Sequence, residues 1–290
     1  MVQSFSPREL CFTVNGMNFA AQEWGDPTQL PVLALHGWLD NSASFYALAP
    51  RLKNLHIVAL DMAGHGRTDH RPGQMGYTLW DDINDLFAVA DYLGWDRFAL
   101  LGHSRGAIVG TLAAGTFPER FIALSLIEGL LPEVTATENA PKQLASAIQG
   151  LRTQQNKTPS IYSDIKIAVK ARERGMFPVG HLAAKALTER GVVAQAGGFS
   201  WSTDPRLLAP SMIKFSREHL SAFVNNVSAP VKLLLAVDGL PKIYANYLQE
   251  VTRFSHINCE LLPGGHHLHM EQEVDVVADK LNEFFSQFTL

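Results

Sequence analysis

The feature that most constrains this chain is a serine set between two glycines, Gly-His-Ser-Arg-Gly at 102–106. An apolar run at 98–101 precedes it, and small apolar residues at 107–114 follow it. This order predicts a buried strand that turns sharply into a buried helix. Only glycine avoids a Cβ clash beside so sharp a turn, and the N-terminus of the following helix favours negative charge. The pattern therefore predicts that Ser104 is a nucleophile, with an ordinary turn serine as the alternative.

Composition indicates a well-packed protein with no strongly charged partner. The chain has 290 residues, of which 47% are hydrophobic and 18% charged, enough for one large domain or one domain with an insertion. Its formal charge of −4 gives no electrostatic case for nucleic acid or an anionic membrane. The first residues do not resemble a signal peptide, and only Cys11 and Cys259 are present. We expect a cytoplasmic monomer or homodimer.

Short apolar runs alternate with helical patterns along most of the chain. A hairpin is expected around Asn15-Gly16, and helices are expected at 43–52, on the face marked by Ile83 and Leu86, after Ser104, and near the C-terminus. Such alternation predicts an α/β fold, a mostly parallel eight-stranded sheet covered by helices on both faces. The expected strands lie at 10–14, 17–24, 32–35, 57–60, 98–101, 121–127, 231–237 and 257–262.

One connection is far longer than an ordinary crossover. Residues 131–228 separate the sixth and seventh expected strands and contain helical patterns at 142–151, 162–173 and 181–189. We interpret this stretch as a helical cap inserted after strand six. The core domain would then comprise residues 1–130 and 229–290.

A nucleophilic serine requires a histidine as its base. A glycine-rich segment follows the last strand and carries three histidines, of which His266 directly follows the glycines and is the expected base. His267 and His269 are the competitors. Three neighbouring histidines also suggest a metal site, but no carboxylate or cysteine stands at ligand spacing, so no metal and no cofactor are expected.

The group that orients the histidine has two candidates in the sequence. Asp238 lies at the carboxyl end of the seventh strand, where functional loops gather in parallel sheets. Glu128 ends the sixth strand and reaches the same region from the neighbouring loop. We favour Asp238 and keep Glu128 as the alternative acid.

Two backbone amides are expected to form an oxyanion hole. One is the amide of Arg105, which follows the serine, and the other is that of Trp38, in a loop after the strand at 32–35. The Arg105 side chain either recognises a substrate carboxylate or, as we favour, forms a buried ion pair with Glu128 or Asp40.

These residues resemble the motifs of the α/β-hydrolases across nearly the whole chain. The segments that carry the likeness are His-Gly-Trp at 36–38, Asp-Met-Ala-Gly-His-Gly-Arg-Thr at 61–68, the serine pentapeptide at 102–106, and Gly265-His266 with Glu271. The order Ser104, Asp238, His266 is also the order of that family. More narrowly, the pentapeptide and residues 197–207 resemble the serine hydrolase-like proteins.

The resemblance implies acyl transfer to water through an acyl-enzyme. The leading expectation is hydrolysis of a carboxylic ester of a small molecule. Carbon–carbon bond or lactone hydrolysis with the same triad, and ligand binding with vestigial activity, are the alternatives. Trp38, Phe199 and Tyr46 are the aromatic residues expected in the substrate pocket, and Trp201 with Asp204 is expected to join cap and core.

Overall fold

The structure, a computed structural model, describes residues 6–155 and 157–288. Eight strands form one sheet in the order β1-β2-β4-β3-β5-β6-β9-β10, parallel except for the pairs β1–β2 and β2–β4. The predicted α/β fold with a mostly parallel eight-stranded sheet is confirmed. The strands are β1 (Arg8–Val14), β2 (Met17–Trp24), β3 (Leu30–Leu35), β4 (Leu55–Leu60), β5 (Phe98–His103), β6 (Phe121–Ile127), β7 (Val192–Gln195), β8 (Gly198–Trp201), β9 (Val231–Ala236) and β10 (Ile257–Leu262).

The helices pack on both faces of the sheet because side chains alternate along its buried strands. In β3, Leu33 and Leu35 join the apolar core beneath α1 and α2, whereas Val32 and Ala34 join the core beneath α9. The helices are α1 (Leu79–Tyr92), α2 (Arg105–Thr116), α3 (Ala140–Gln155), α4 (Ile165–Glu173), α5 (His181–Gly191), α6 (Arg217–Asn225), α7 (Leu240–Ile243), α8 (Tyr247–Val251) and α9 (Val274–Phe285).

The chain between β6 and β9 is mostly helical, as expected for a cap inserted after strand six. It contains α3 to α6 and also the two-stranded sheet β7–β8, which was not predicted. The cap contacts the core through an apolar cluster in which Ala183, Ala184 and Leu187 of α5 pack with Met270. The exact domain limits, 130/131 and 228/229, stay predictions.

Two local expectations differ from the structure. The helix expected at 43–52 is replaced by two 3-10 turns, Ser42–Phe45 and Ala49–Arg51. Pro50 has no amide hydrogen to donate, and its ring would clash with the preceding helical turn. A continuous helix therefore cannot run through it. In the cap, α4 begins at Ile165 after the N-cap Asp164, because Tyr162 forms an isolated bridge with Phe199.

The turn between β1 and β2 requires glycine for its backbone conformation. The β1–β2 hairpin turns at Asn15 and Gly16, which have φ values of 51° and 77°. Both positive values are what a two-residue hairpin turn requires, and asparagine and glycine adopt them most readily.

Within the described ranges, no helix is both long enough and apolar enough to span a membrane.

Candidate active site

Ser104 lies at a strained turn between β5 and α2. Its φ of 50° and ψ of −112° are uncommon for a residue with a side chain. The two glycines of the pentapeptide are required by packing. A Cβ on Gly106 would lie 2.1 Å from the carbonyl oxygen of Leu35, and one on Gly102 would lie 2.5 Å from the Cα of Ala107. The sharp strand–turn–helix predicted from the sequence is therefore present.

The structure brings His266 to Ser104. The ring Nε2 lies 3.0 Å from the Ser104 Oγ, a hydrogen-bond distance. His266 lies in the loop between β10 and α9, which crosses the carboxyl edge of the sheet. His103, the last residue of β5, fixes this loop, because its Nε2 donates a 2.9 Å hydrogen bond to the His266 carbonyl oxygen. Burial holds the pKa of His103 well below its usual value, so it is a neutral support.

Glu128 lies on the other side of the histidine ring. Its Oε2 is 2.9 Å from His266 Nδ1, and its side chain is fully buried. The backbone amides of Ala236 and Leu240 also donate to the carboxylate, at 2.6 Å to Oε1 and 2.7 Å to Oε2. These hydrogen bonds compensate the burial of a carboxylate whose side chain has no exposed surface. Glu128 thus accepts from Nδ1 and leaves Nε2 free to accept from the serine hydroxyl.

The structure does not bring Asp238 to the histidine. Its side chain is 59% exposed and forms an ion pair with Lys242, four residues along the chain, at 2.7 Å. The next residue explains why Glu128 fits here. A Cβ on Gly239 would lie 2.1 Å from Glu128 Oε2, so this glycine leaves room for the carboxylate. The preference for Asp238 over Glu128 is wrong for this structure. The end of β9 contributes backbone amides that bind Glu128 and the space beside Gly239, not a carboxylate that reaches His266.

A second buried serine–histidine pair shows why a short distance does not define a nucleophile. Ser44 Oγ lies 2.8 Å from His269 Nε2, but both residues are fully buried and neither lines either of the two cavities at Ser104. Burial holds the pKa of His269 well below its usual value, which opposes its taking a proton. Within the described ranges, its Nδ1 has no hydrogen-bond partner. We interpret this pair as structural.

The loop after β3 places the Trp38 amide beside the turn. The carbonyl oxygen of His36 accepts a 3.1 Å hydrogen bond from the Gly106 amide, which ties this loop to the start of α2. The indole of Trp38 donates to the carbonyl oxygen of Leu207 in the cap, at 2.9 Å. In the part of the chain that the structure describes, the amides of Trp38 and Arg105 have no protein acceptor. Both amides are therefore available as donors, and an oxyanion hole formed by them stays a prediction.

The Arg105 side chain forms an ion pair, but not with either expected partner. Its Nε and Nη2 both reach Asp82 Oδ2 of α1, at 3.0 Å and 2.6 Å. Glu128 is engaged by His266, and Asp40 is engaged elsewhere. The guanidinium therefore fixes the first turn of α2 against α1, where it is not available as an unpaired cation for a substrate carboxylate.

Asp40 joins the cap to the histidine loop. Its Oδ1 accepts from Arg172 of α4 at 2.8 Å, and its Oδ2 accepts from His267 Nε2 at 3.1 Å. Although burial raises it, the neighbouring His267 and Arg172 hold the pKa of Asp40 well below its usual range. His267, the first competitor for the role of base, is therefore occupied by this network.

The same cluster is the one place where the described residues bring three potential metal-ligating side chains together. The ligand atoms of Asp40, His103 and His267 lie within 4.8 Å of one another. The Arg172 Nη2 atom lies 3.3 Å from His267 Nε2 as well as bonding Asp40. A fixed positive charge thus already neutralises the carboxylate and opposes a cation there. We interpret the cluster as a cap-to-core ion-pair network.

We predict that Asp40→Asn lowers the free energy of unfolding by about 3 kcal/mol, because it leaves the mostly buried Arg172 charge without a carboxylate. Urea denaturation measures the change. The matched control is Asp238→Asn, which breaks an exposed pair and should cost about 0.5 kcal/mol or less. Equal losses in the two variants would contradict a buried network at Asp40.

Two cavities meet at Ser104. The smaller has a volume of about 430 Å³ and is also lined by His266, and the larger has a volume of about 700 Å³ and is lined by Arg105 and Glu128. Both volumes are in the range of sites for small molecules, about 300–1,000 Å³. Four residues line both cavities and so form the partition between them: Trp38, Ser104, Met176 and Phe177.

The pocket aromatics were predicted only in part. Trp38 lines both cavities, but Phe199 and Tyr46 are not among the lining residues of either. Phe199 instead exchanges two 2.8 Å backbone hydrogen bonds with Tyr162 at the cap hairpin. Phe177, which the sequence analysis missed, stacks on His266 with ring centroids 4.2 Å apart. It lies in a loop between α4 and α5 that carries no periodic signal.

The predicted joint at Asp204 is present. Asp204 accepts a 2.8 Å hydrogen bond from Tyr77 Oη, and its amide donates to the carbonyl oxygen of Gly64. A second joint, not predicted, links Arg190 of α5 to Asp61, whose carboxylate also accepts from the Arg67 amide. This explains the conformation of the segment at 61–68.

Comparison with known proteins agrees with this architecture. A family model for the α/β-hydrolase fold matches residues 31–157. A serine hydrolase-like protein of Dictyostelium discoideum is 31% identical, covering 94% of this chain and 80% of that protein. The human serine hydrolase-like protein 2 is 31% identical, covering 93% and 91%. The crystal structure of a hypothetical protein from Pseudomonas aeruginosa is 41% identical with a TM-score of 0.92, covering 96% of this chain and 99% of that one.

The eight-stranded sheet, the strained serine turn and these likenesses define the class as the α/β-hydrolases. Within that class, the chain belongs to the serine hydrolase-like proteins.

Proposed function

We propose that this hydrolase cleaves a carboxylic ester through an acyl-enzyme on Ser104. The observation that carries the proposal is the unbroken hydrogen-bond chain from Ser104 Oγ through the His266 ring to the Glu128 carboxylate. In this series of hydrogen bonds, the serine hydroxyl donates to Nε2 and Nδ1 donates to the carboxylate, as general-base catalysis requires. Its serine end opens into two cavities, and the Glu128 side chain at its other end is fully buried.

In the first half of the reaction, the Ser104 oxygen forms a bond to the ester carbonyl carbon while its proton passes to His266 Nε2. The carbonyl oxygen becomes an oxyanion, for which the amides of Trp38 and Arg105 are the donors in this proposal. The bond to the leaving oxygen then breaks, and His266 delivers the proton to that oxygen. Glu128 stabilises the imidazolium through Nδ1 and keeps the ring in the productive tautomer.

In the second half, a water molecule replaces the departed alcohol. His266 accepts a proton from the water as its oxygen attacks the acyl carbon. The tetrahedral species collapses, the bond to Ser104 breaks, and the serine oxygen recovers its proton. The products are the carboxylic acid and the free enzyme, and the proposed reaction uses no cofactor.

The test is reaction with a tagged alkyl fluorophosphonate, followed by mapping of the labelled peptide. We predict one covalent adduct on Ser104, formed as the serine oxygen displaces fluoride from phosphorus. Ser104→Ala should abolish the adduct. Ser160→Ala, which removes another serine from the smaller cavity, should retain it.

The labelling also separates an enzyme from a ligand-binding protein of the same fold. A binding protein with an inactive site leaves Ser104 unlabelled even at high probe concentration. An adduct on a different residue would show that the nucleophile has been misassigned.

A further inference from the structure

We propose that the substrate is an ester of an uncharged aliphatic acid of medium to long chain, whose acyl group lies in the larger cavity and whose alcohol lies in the smaller one. The inference rests on the proposed function and specifies its substrate class. It depends on how the two cavities meet at Ser104 and on the chemistry of the side chains that line each one.

The arrangement at Ser104 separates the two parts of an ester. When the acyl carbon is bonded to Ser104 Oγ, its acyl chain and its alcohol point in different directions, and a separate cavity is available to each. The partition formed by Trp38, Ser104, Met176 and Phe177 lies between these two directions. A substrate with one bulky arm would leave one of the cavities empty.

The position of His266 decides which arm goes where. The leaving oxygen must receive its proton from His266 Nε2, so it has to lie on the side of the partition where that ring is exposed. His266 lines the smaller cavity and is not among the lining residues of the larger one. The alcohol therefore occupies the smaller cavity, and the acyl chain occupies the larger.

The lining of the larger cavity favours a hydrocarbon chain. Its walls include six aliphatic or aromatic side chains: Ile108, Leu131, Leu220, Leu240, Ile243 and Phe254. Burying apolar surface on such walls contributes about 25 cal/mol per Å². Its volume of about 700 Å³ exceeds that of the alcohol side by more than half.

The charges around the larger cavity already have partners, which argues against a charged acyl group. Arg105 bonds Asp82, and Glu128 bonds His266. At the rim, Glu250 accepts from both Arg217 and Arg253. The remaining charged lining residue, Glu133, forms an ion pair with Lys214. A carboxylate that stops among the apolar side chains would find Arg105 already paired, whereas the two arginines that share Glu250 lie at the solvent-exposed rim.

The smaller cavity carries hydroxyl groups as well as apolar side chains. Those of Thr158, Ser160, Tyr162 and Thr203 are able to hydrogen-bond an alcohol. Because this cavity has the smaller volume, the alcohol is expected to be the shorter part of the ester.

Two matched substitutions test the assignment. Ile243→Trp narrows the larger cavity and Leu208→Trp narrows the smaller one, and both side chains are partly exposed, by 48% and 40%. We expect Ile243→Trp to lower the ratio of kcat/KM for p-nitrophenyl decanoate to that for p-nitrophenyl acetate by about tenfold or more. Leu208→Trp should leave this ratio within about twofold of the wild-type ratio.

The alcohol side has the reciprocal test. With a fixed butyryl group, Leu208→Trp should lower kcat/KM for the 1-naphthyl ester relative to the ethyl ester by about tenfold. Ile243→Trp should not change that ratio. Val134→Trp, placed on another part of the larger cavity, should reproduce the Ile243→Trp result if the effect comes from space and not from local unfolding. Reversed effects of Ile243→Trp and Leu208→Trp would overturn the assignment.

A binding measurement distinguishes failure of this inference from failure of the proposed function. Calorimetry on Ser104→Ala protein should detect decanoate, and adding Ile243→Trp should weaken binding about tenfold while adding Leu208→Trp does not. Decanoate binding of this kind without ester turnover in the wild type refutes the esterase and keeps the cavity assignment. The cavity assignment is refuted if Ile243→Trp leaves the decanoate-to-acetate ratio of kcat/KM unchanged, or if decanoate does not bind.

Discussion

Ser104→Ala is expected to lower kcat for p-nitrophenyl esters by at least about 10³-fold, with little change in the free energy of unfolding. The substitution removes the oxygen that attacks the carbonyl carbon and leaves the backbone of the turn in place. The strain at this residue is a backbone property, and alanine tolerates positive φ no better and no worse than serine. Steady-state kinetics and urea denaturation on the same preparation measure the two quantities.

The control for Ser104→Ala is Ser44→Ala, at the other buried serine–histidine pair. Ser44 lies even closer to its histidine than Ser104 does, at 2.8 Å against 3.0 Å. It differs in lining neither of the two cavities that meet at Ser104, and burial lowers the pKa of its partner His269. Ser44→Ala should therefore retain turnover and lose stability by about 1 kcal/mol. If instead Ser104→Ala keeps wild-type turnover, the nucleophile is not Ser104.

Local patterns in the sequence predicted the parts of the site that local backbone geometry determines. The glycines on either side of Ser104 are required by the close packing of the turn, once a strand precedes them and a helix follows. His266 was identified for a similar reason, since a glycine-rich loop after the last parallel strand must cross the carboxyl edge of the sheet. Alternating apolar runs likewise predicted the sheet.

The acid and the cap required distances that no local pattern supplies. Asp238 and Glu128 both follow parallel strands, and the choice depends on which side chain points inward. The signal that favours Glu128 is Gly239, whose missing side chain provides the space for a carboxylate from the neighbouring strand. Phe177 was missed because it lies in a loop whose contact with His266 depends on how α4 and α5 pack against the core.

The second large effect is expected at the acid. Glu128→Gln should lower kcat by about 10⁴-fold, whereas Asp238→Asn should leave it within about twofold of the wild-type value. A glutamine amide that donates to Nδ1 forces the proton onto Nε2, which then cannot accept from the serine hydroxyl. The Asp238 side chain lies in solvent and pairs with Lys242. Its backbone amide donates to the carbonyl oxygen of Gly264 in the histidine loop, a contact that asparagine keeps.

Because Glu128 also accepts from the amides of Ala236 and Leu240, its replacement disturbs packing as well as the tautomer. A glutamine NH₂ facing either amide would cost about 1–3 kcal/mol, so partial unfolding must be separated from loss of orientation. Glu128→Asp separates them: it keeps the charge and the productive tautomer, but its carboxylate is one methylene shorter and holds the ring less well. We expect its kcat to lie between those of the wild type and Glu128→Gln, at a fixed folded fraction measured by circular dichroism. A larger loss from Asp238→Asn than from Glu128→Gln would restore Asp238 as the acid and require the loop after β9 to move during turnover.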